Sequence, residues 1–135
     1  MLPRGNVWQL YGTPLWRLAI ATLRGMSGYE AGFLDVALEL PAAQQPVIQL
    51  DYTHFSVLLD PVRRLAAATA VNIAGAELVD IARGNTWRLD KRIAEDQQAG
   101  PGLYSRNNLD RGHLVRRRDP VWGDDATQAD RKSVV

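Results

Sequence analysis

The chain has 135 residues, which suits one domain of ~100–150 residues. Apolar residues make up 46% and charged residues 23%, a balance that excludes full-length disorder. Sixteen Lys and Arg against fifteen Asp and Glu leave a formal charge of +1, so net charge announces no polyanionic partner, and the lack of Cys excludes a disulfide framework, a thiolate nucleophile and a Cys-ligated zinc.

Residues 1–27 read as a variable N-terminal arm punctuated by Pro3, Gly5, Gly12 and Pro14, with a short amphipathic helix around Leu15–Leu23. Trp16 and Arg17 interrupt that apolar piece, and no run reaches the ~18 apolar residues of a membrane span, so no membrane partner is expected. From Gly28 to Pro41, the alternation of Val36, Leu38 and Leu40 with Ala37 and Glu39 predicts a short edge strand closed by Pro41. Residues 42–50 read as a linker. Tyr52–Leu59 is rich in aromatic and β-branched residues and predicts one strand, ended by Asp60-Pro61. Leu65–Ile73 predicts a second strand, and the two make an antiparallel hairpin turning at Asp60–Arg64. Ala82–Gly102 has few apolar anchors and reads as a long loop. A short strand is expected near His113–Val115, followed by a polar tail with Trp122 as its large apolar anchor. The fold class is α+β, with an antiparallel sheet as core and little helix.

The chemistry concentrates between Asn107 and Arg118. His113 is one of two histidines, and an unperturbed imidazole, with pKa ~6.5, suits proton transfer at neutral pH. Arg106, Arg111, Arg116, Arg117 and Arg118 flank it, against Asp110 as the acid among them. A base set among guanidinium forks suits an anionic substrate such as a phosphodiester. Gly112 marks a bend that would let Asp110 and His113 share a side.

Asp110-Arg111-Gly112-His113 resembles the DRGH signature of the DNA/RNA non-specific endonucleases, the ββα-metal or His-Me finger nucleases. The flanks extend the likeness. Tyr104 and Asn107-Asn108 precede the motif, and His113-Leu114-Val115-Arg116-Arg117 and Trp122-Gly123-Asp124 follow it as in one bacterial branch. Upstream, Tyr52–Asp60, Arg63-Arg64, Ala70–Gly75 and Trp87–Ile93 are similar to that branch in the same order, with Lys91 where Pro is usual. Gly28-Tyr29, Phe33-Leu34 and Pro41 resemble its entry, so residues 28–135 are assigned to the nuclease domain.

The resemblance implies a Mg²⁺-dependent, sugar-non-specific endonuclease acting on DNA and RNA. His113 would be the general base and Arg111 a phosphate contact. Arg83 and Arg88 are candidates for a second phosphate clamp, and Arg116 or Arg117 would reach substrate. Asp110 and Gly112 would shape the loop. The family's metal ligand is an Asn on a helix downstream of the motif, whereas Asn108 is the last Asn here. No metal ligand is therefore assigned. The expectation is a chain that stops before its metal-binding helix, lacks the C-terminal half of the fold, and is weakly active or inactive alone. It also expects a bare apolar face on the Tyr52–Leu59 hairpin. The alternative is a catalytically inactive nucleic-acid-binding fragment or a split-nuclease subunit. His54, Trp87 and Trp122 read as packing residues, and Asp124-Asp125 as a solvated pair.

Overall fold

The computed structural model describes residues 28–82, 84, 87–129 and 133–134. The expected N-terminal arm, its helix at Leu15–Leu23, and Arg83 lie outside these described residues. Three strands, β1 (Ile48–Tyr52), β2 (Phe55–Asp60) and β3 (Leu65–Val71), form an antiparallel sheet in the order β1-β2-β3. β4 (Arg88–Leu89) pairs in parallel with β5 (Ser133–Val134) near the far end of the chain. Among the described residues helix is confined to α1 (Ala126–Ala129) and three short 3₁₀ turns, in keeping with the expected sheet with little helix. Among the described residues no helix is long and apolar enough to cross a membrane.

The hairpin of β2 and β3 forms as its sequence directs. Asp60 Oδ1 accepts hydrogen bonds from the backbone N–H of Val62 (3.0 Å) and Arg63 (2.9 Å), the local turn that Asp favours. Arg64 then leaves through a left-handed φ of 56°. A register shift between Leu58 and Leu59 leaves Ala67 as an extra residue on β3.

Four sequence-derived elements require correction. The apolar run Tyr52–Leu59 is not one strand. It turns at Thr53-His54, with Tyr52 paired to Phe55 across a two-residue loop and His54 at φ 66°. The supposed linker 42–50 consequently contains most of β1. Val36–Leu40 is not a strand: Leu38 N–H donates to Ala31 O (3.0 Å), and the Tyr29 hydroxyl donates to Leu38 O (2.8 Å), so this segment bonds locally. His113–Val115 is irregular, and only Val115 of the three is buried.

β2 is buried along its whole length. On one face Leu50, Tyr52, Phe55, Val57 and Leu59 cluster with Ile93 and Val115, which reach in from the loops. The Tyr52 and Phe55 rings stack with centroids 4.7 Å apart. The bare face expected on Tyr52–Leu59 is therefore absent, because these loops and the segment at 28–30 cover it. That segment is fastened by Tyr29 N–H to Ser56 Oγ (2.8 Å) and by a reciprocal pair between Glu30 and Asn72 (2.7 and 3.0 Å). Exposed apolar side chains lie instead at Leu34, Val36, Leu38, Leu65 and Ile73.

Candidate active site

The loop after β4 is held by a buried polar hub. Arg92 donates to both carboxylate oxygens of Asp90, with its closest approach at 2.6 Å, and its Nη1 donates to Asp51 O (2.9 Å). The Tyr52 hydroxyl donates to Asp90 Oδ2 (2.7 Å), and Arg92 lies 4.7 Å over the Tyr52 ring. Gln98, also buried, accepts from Asp90 N–H (2.8 Å) and donates to the carbonyls of Asp90 and Ile93. Burial alone would raise the Asp90 pKa, but the Arg92 and Tyr52 hydrogen bonds outweigh it and hold the carboxyl below its usual value. Asp90 in turn raises the pKa of Arg92 against the opposing effect of burial. The long loop read from Ala82 to Gly102 holds the two-residue β4 and a 3₁₀ turn at Glu95–Gln97, and side chains tie the rest.

Trp87 precedes this hub in the chain, and its indole packs on His113 with ring centroids 4.9 Å apart and planes inclined by 55°. The segment leading to His113 begins at the 3₁₀ turn Pro101–Tyr104. The Asn107 side chain donates to Leu103 O (2.6 Å) and accepts from Leu109 N–H (2.9 Å), closing the approach to the motif. Residues 110–114 are exposed, and Val115 returns the chain to the core. Arg111 lies with its Cζ 5.4 Å over the Tyr104 ring.

Consecutive turns follow, with Asp119 N–H bonded to Arg116 O (3.0 Å) and Val121 N–H to Arg118 O (3.1 Å). They curl the arginines around an open basin of about 340 Å³ lined by His113, Arg116, Arg117 and Arg118. Arg117 is a strut as well as a lining residue: its Nη2 donates to the carbonyls of Ile81 (2.8 Å) and Ala82 (3.0 Å). Arg118 makes a loose, exposed ion pair with Asp80 at 3.4 Å. The basin is a concave, cationic surface with an imidazole on its wall, an arrangement able to hold a phosphate beside a proton acceptor.

The sequence-derived set is therefore partly gathered. His113, Arg116 and Arg117 meet in the basin. Arg111 stands beside it in sequence but is held against Tyr104. Arg88 is exposed on β4 and does not line the basin. Asp110 is exposed, and Asn107 makes the hydrogen bonds that tie this loop back. A Cβ on Gly112 would meet nothing within 4 Å. His54 is a packing residue as expected, although in a turn rather than a strand: it is buried, with Nδ1 2.8 Å from Pro120 O. Trp87 does more than the packing assigned to it, because its partner is the candidate base. Its sequence signal was its place in the stretch Trp87–Ile93, which also holds Asp90 and Arg92.

Among the described residues no three His, Asp or Glu side chains cluster closely enough to hold a metal ion.

A model of the DNA/RNA non-specific endonuclease family matches residues 36–134. A relative from Sinorhizobium fredii (strain NBRC 101917 / NGR234), "Uncharacterized protein y4fB", is 42% identical over 123 residues, covering 74% of this chain. The chain spans 18% of that relative's length. No solved structure matches.

Proposed function

From the membership of this chain in the DNA/RNA non-specific endonuclease family, we propose that it hydrolyses phosphodiester bonds of DNA and RNA, with His113 as general base. The observation that supports this most is the basin that joins His113 to Arg116, Arg117 and Arg118. His113 takes a proton from a water. The water oxygen forms a bond to phosphorus as the bond to the 3′ oxygen breaks, and the departing 3′ alkoxide takes a proton from solvent water. The guanidinium groups hold the scissile phosphate and meet the charge that develops on its oxygens. Arg116 is the phosphate contact in the basin and Arg111 a second one on the exposed loop. Arg88 and Arg83 remain candidates for contacts further along the strand. Asp110 and Gly112 shape the motif loop.

Family chemistry calls for a divalent metal, Mg²⁺ by expectation, acting as a Lewis acid. The described residues do not fit that role. They present no group of three His, Asp or Glu side chains around one point, and the Asn107 carboxamide is engaged by Leu103 and Leu109. The steps above accordingly use only side chains of this chain. The same observation favours a second reading, a nucleic-acid-binding module without turnover.

Single-turnover nicking of supercoiled plasmid, with the protein in excess, tests the first reading. His113→Ala should lower the rate by ~10²–10⁴-fold, the usual cost of a lost general base. Arg111→Ala should weaken binding to all sequences alike and reduce the salt slope by about one unit. Nicking indifferent to His113→Ala would overturn the base. Salt-dependent binding with no nicking would establish the second reading.

A further inference from the structure

The segment carrying the candidate base and the exposed candidate phosphate contact has little backbone order of its own. Residues 105–115 contain neither helix nor strand, and residues 110–114 are all exposed. Space around Gly112 is open. Yet a general base works only when held in one orientation, because small misplacements of reacting groups cost large factors in rate.

Two aromatic rings stand where it is needed. Trp87 packs on the His113 imidazole at 4.9 Å, and Tyr104 lies under the Arg111 guanidinium at 5.4 Å. Both rings belong to segments that precede the exposed loop. Trp87 directly precedes β4 and the Asp90–Arg92–Gln98 hub, in which Asp90 and Gln98 are buried, Arg92 is half-buried and all three are hydrogen-bonded. Tyr104 ends the 3₁₀ turn Pro101–Tyr104, where Ser105 Oγ donates to Gly102 O (3.0 Å) and Asn107 to Leu103 O (2.6 Å). Both rings are half-buried, so each has one part fixed and another available to the loop.

We propose that Trp87 and Tyr104 form an aromatic bracket that orients His113 and Arg111. They are positioning residues: each acts through the side chain it holds. The bracket rests on the nuclease reading only for what the two oriented groups do. The inclined indole restricts imidazole rotation by dispersion and by edge-to-face attraction. The Tyr104 face attracts the guanidinium through its quadrupole and leaves the hydrogen-bonding edge of Arg111 free for a phosphate.

The chain has two histidines, so the aromatic ¹H–¹³C spectrum of untagged 1–135 carries two imidazole Cε1 signals. His54 packs on Trp122 and serves as the internal control for folding. NOEs between the Trp87 indole and the His113 ring are expected in the unaltered chain. Trp87→Ala should move the His113 signal toward that of a free imidazole and leave His54 in place. Trp87→Phe should retain most of the displacement. Where nicking is measured, Trp87→Ala should lower the single-turnover rate at saturation roughly tenfold with binding nearly unchanged, and Phe should restore much of it. Tyr104→Leu should weaken plasmid binding roughly 3- to 10-fold and flatten its salt slope, whereas Tyr104→Phe should not, because the ring face and not the hydroxyl is used.

Absence of the NOEs, or a His113 signal that ignores Trp87→Ala while His54 reports a folded chain, overturns the bracket at His113. Lost binding with an unmoved His113 signal does the same and makes Trp87 a base-stacking platform. Equal losses in Tyr104→Phe and Tyr104→Leu overturn it at Arg111. If the NMR results hold but the unaltered chain never cleaves, the bracket stands and the hydrolytic reading falls.

Discussion

His54 lies flat on Trp122, with ring centroids 3.5 Å apart and planes within 9°. This pair fastens the β1–β2 turn to the segment that follows the arginine cluster. His54 Nδ1–H donates to Pro120 O at 2.8 Å, and Trp122 Nε1–H donates to Asn72 O at 2.8 Å. Phe33 packs on the same indole at 5.5 Å. The contacts also hold His54 at φ 66°, a left-handed conformation that a non-glycine residue adopts at some cost.

Removing this joint should cost stability first and activity second. His54→Ala loses a buried hydrogen bond and an aromatic contact, together ~2–3 kcal/mol. His54→Asn should cost less, because Asn tolerates the left-handed region and its amide can still donate. Urea unfolding monitored by tryptophan fluorescence checks both. A His54→Ala midpoint equal to that of the unaltered chain would show that the stack carries no weight.

The same turn explains where sequence reading stopped. Leu65–Val71 and the Asp60 turn were legible because β-branched residues, Asp-Pro and a following basic pair each point to the same local structure. Thr53-His54 carries no such sign, since the usual two-residue hairpin wants Asn-Gly or Asp-Gly. His54 is turned by tertiary contacts with Pro120 and Trp122, 66 or more residues away, which no local pattern announces. The site divides in the same way. His113 and the arginines were legible as residue types in one short window. The Trp87–His113 contact was not, because it joins residues 26 positions apart across a stretch without periodicity. Val36–Leu40 shows the opposite failure: a clean alternation that pairs with no strand.

Asp90 gives the chain a defined acid sensitivity. Its carboxyl titrates below the ordinary 3.8: burial opposes ionisation, but bonds from Arg92 and Tyr52 prevail. A carboxylate with a depressed folded pKa contributes stability that is fully present above its unfolded pKa, ~3.9, and is lost as pH falls through the folded value. Stability should therefore decline from about pH 5 downward. Asp90→Asn should cost about 3 kcal/mol at neutral pH, because it leaves the half-buried Arg92 without its charge partner. It should also flatten the acid decline. Urea midpoints of both proteins across the acid range check this, and parallel pH curves would remove Asp90 as the cause.

Two glycines should behave oppositely when given a methyl group. Gly28 sits at φ +66°, and a Cβ there would lie 3.0 Å from Asp51 Cγ and 3.1 Å from Ser56 Oγ. Asp51 and Ser56 are already locked together by a 2.6 Å hydrogen bond, so they cannot yield easily. Gly28→Ala should destabilise by ~1–3 kcal/mol. A Cβ at Gly112 meets open space without a left-handed φ, so Gly112→Ala should change stability by less than ~0.5 kcal/mol. If Gly112→Ala nonetheless weakens DNA binding or nicking, the loop backbone approaches substrate closely at that point. Thermal melts and plasmid binding on the two variants separate these effects. A larger stability loss at Gly112 than at Gly28 would contradict the loop geometry.

Metal dependence is the sharpest test of what this chain does by itself. A Lewis-acidic ion that meets the charge of a phosphoryl transition state contributes several kcal/mol, on the order of 10³-fold in rate. Mg²⁺ is commonly held by one or two protein ligands together with waters and phosphate oxygens. Among the described residues no three His, Asp or Glu side chains gather around one point, and Asp110, Asp124 and Asp125 are all exposed. The cationic groups that line the basin beside His113 are guanidinium groups. Weak nicking is therefore expected from 1–135, with EDTA changing the rate little and rising salt suppressing it through lost phosphate binding. Robust cleavage abolished by EDTA and restored by Mg²⁺ would refute this. Asp119→Asn and Asp124→Asn would then show which acid near the arginine turns carries the ion.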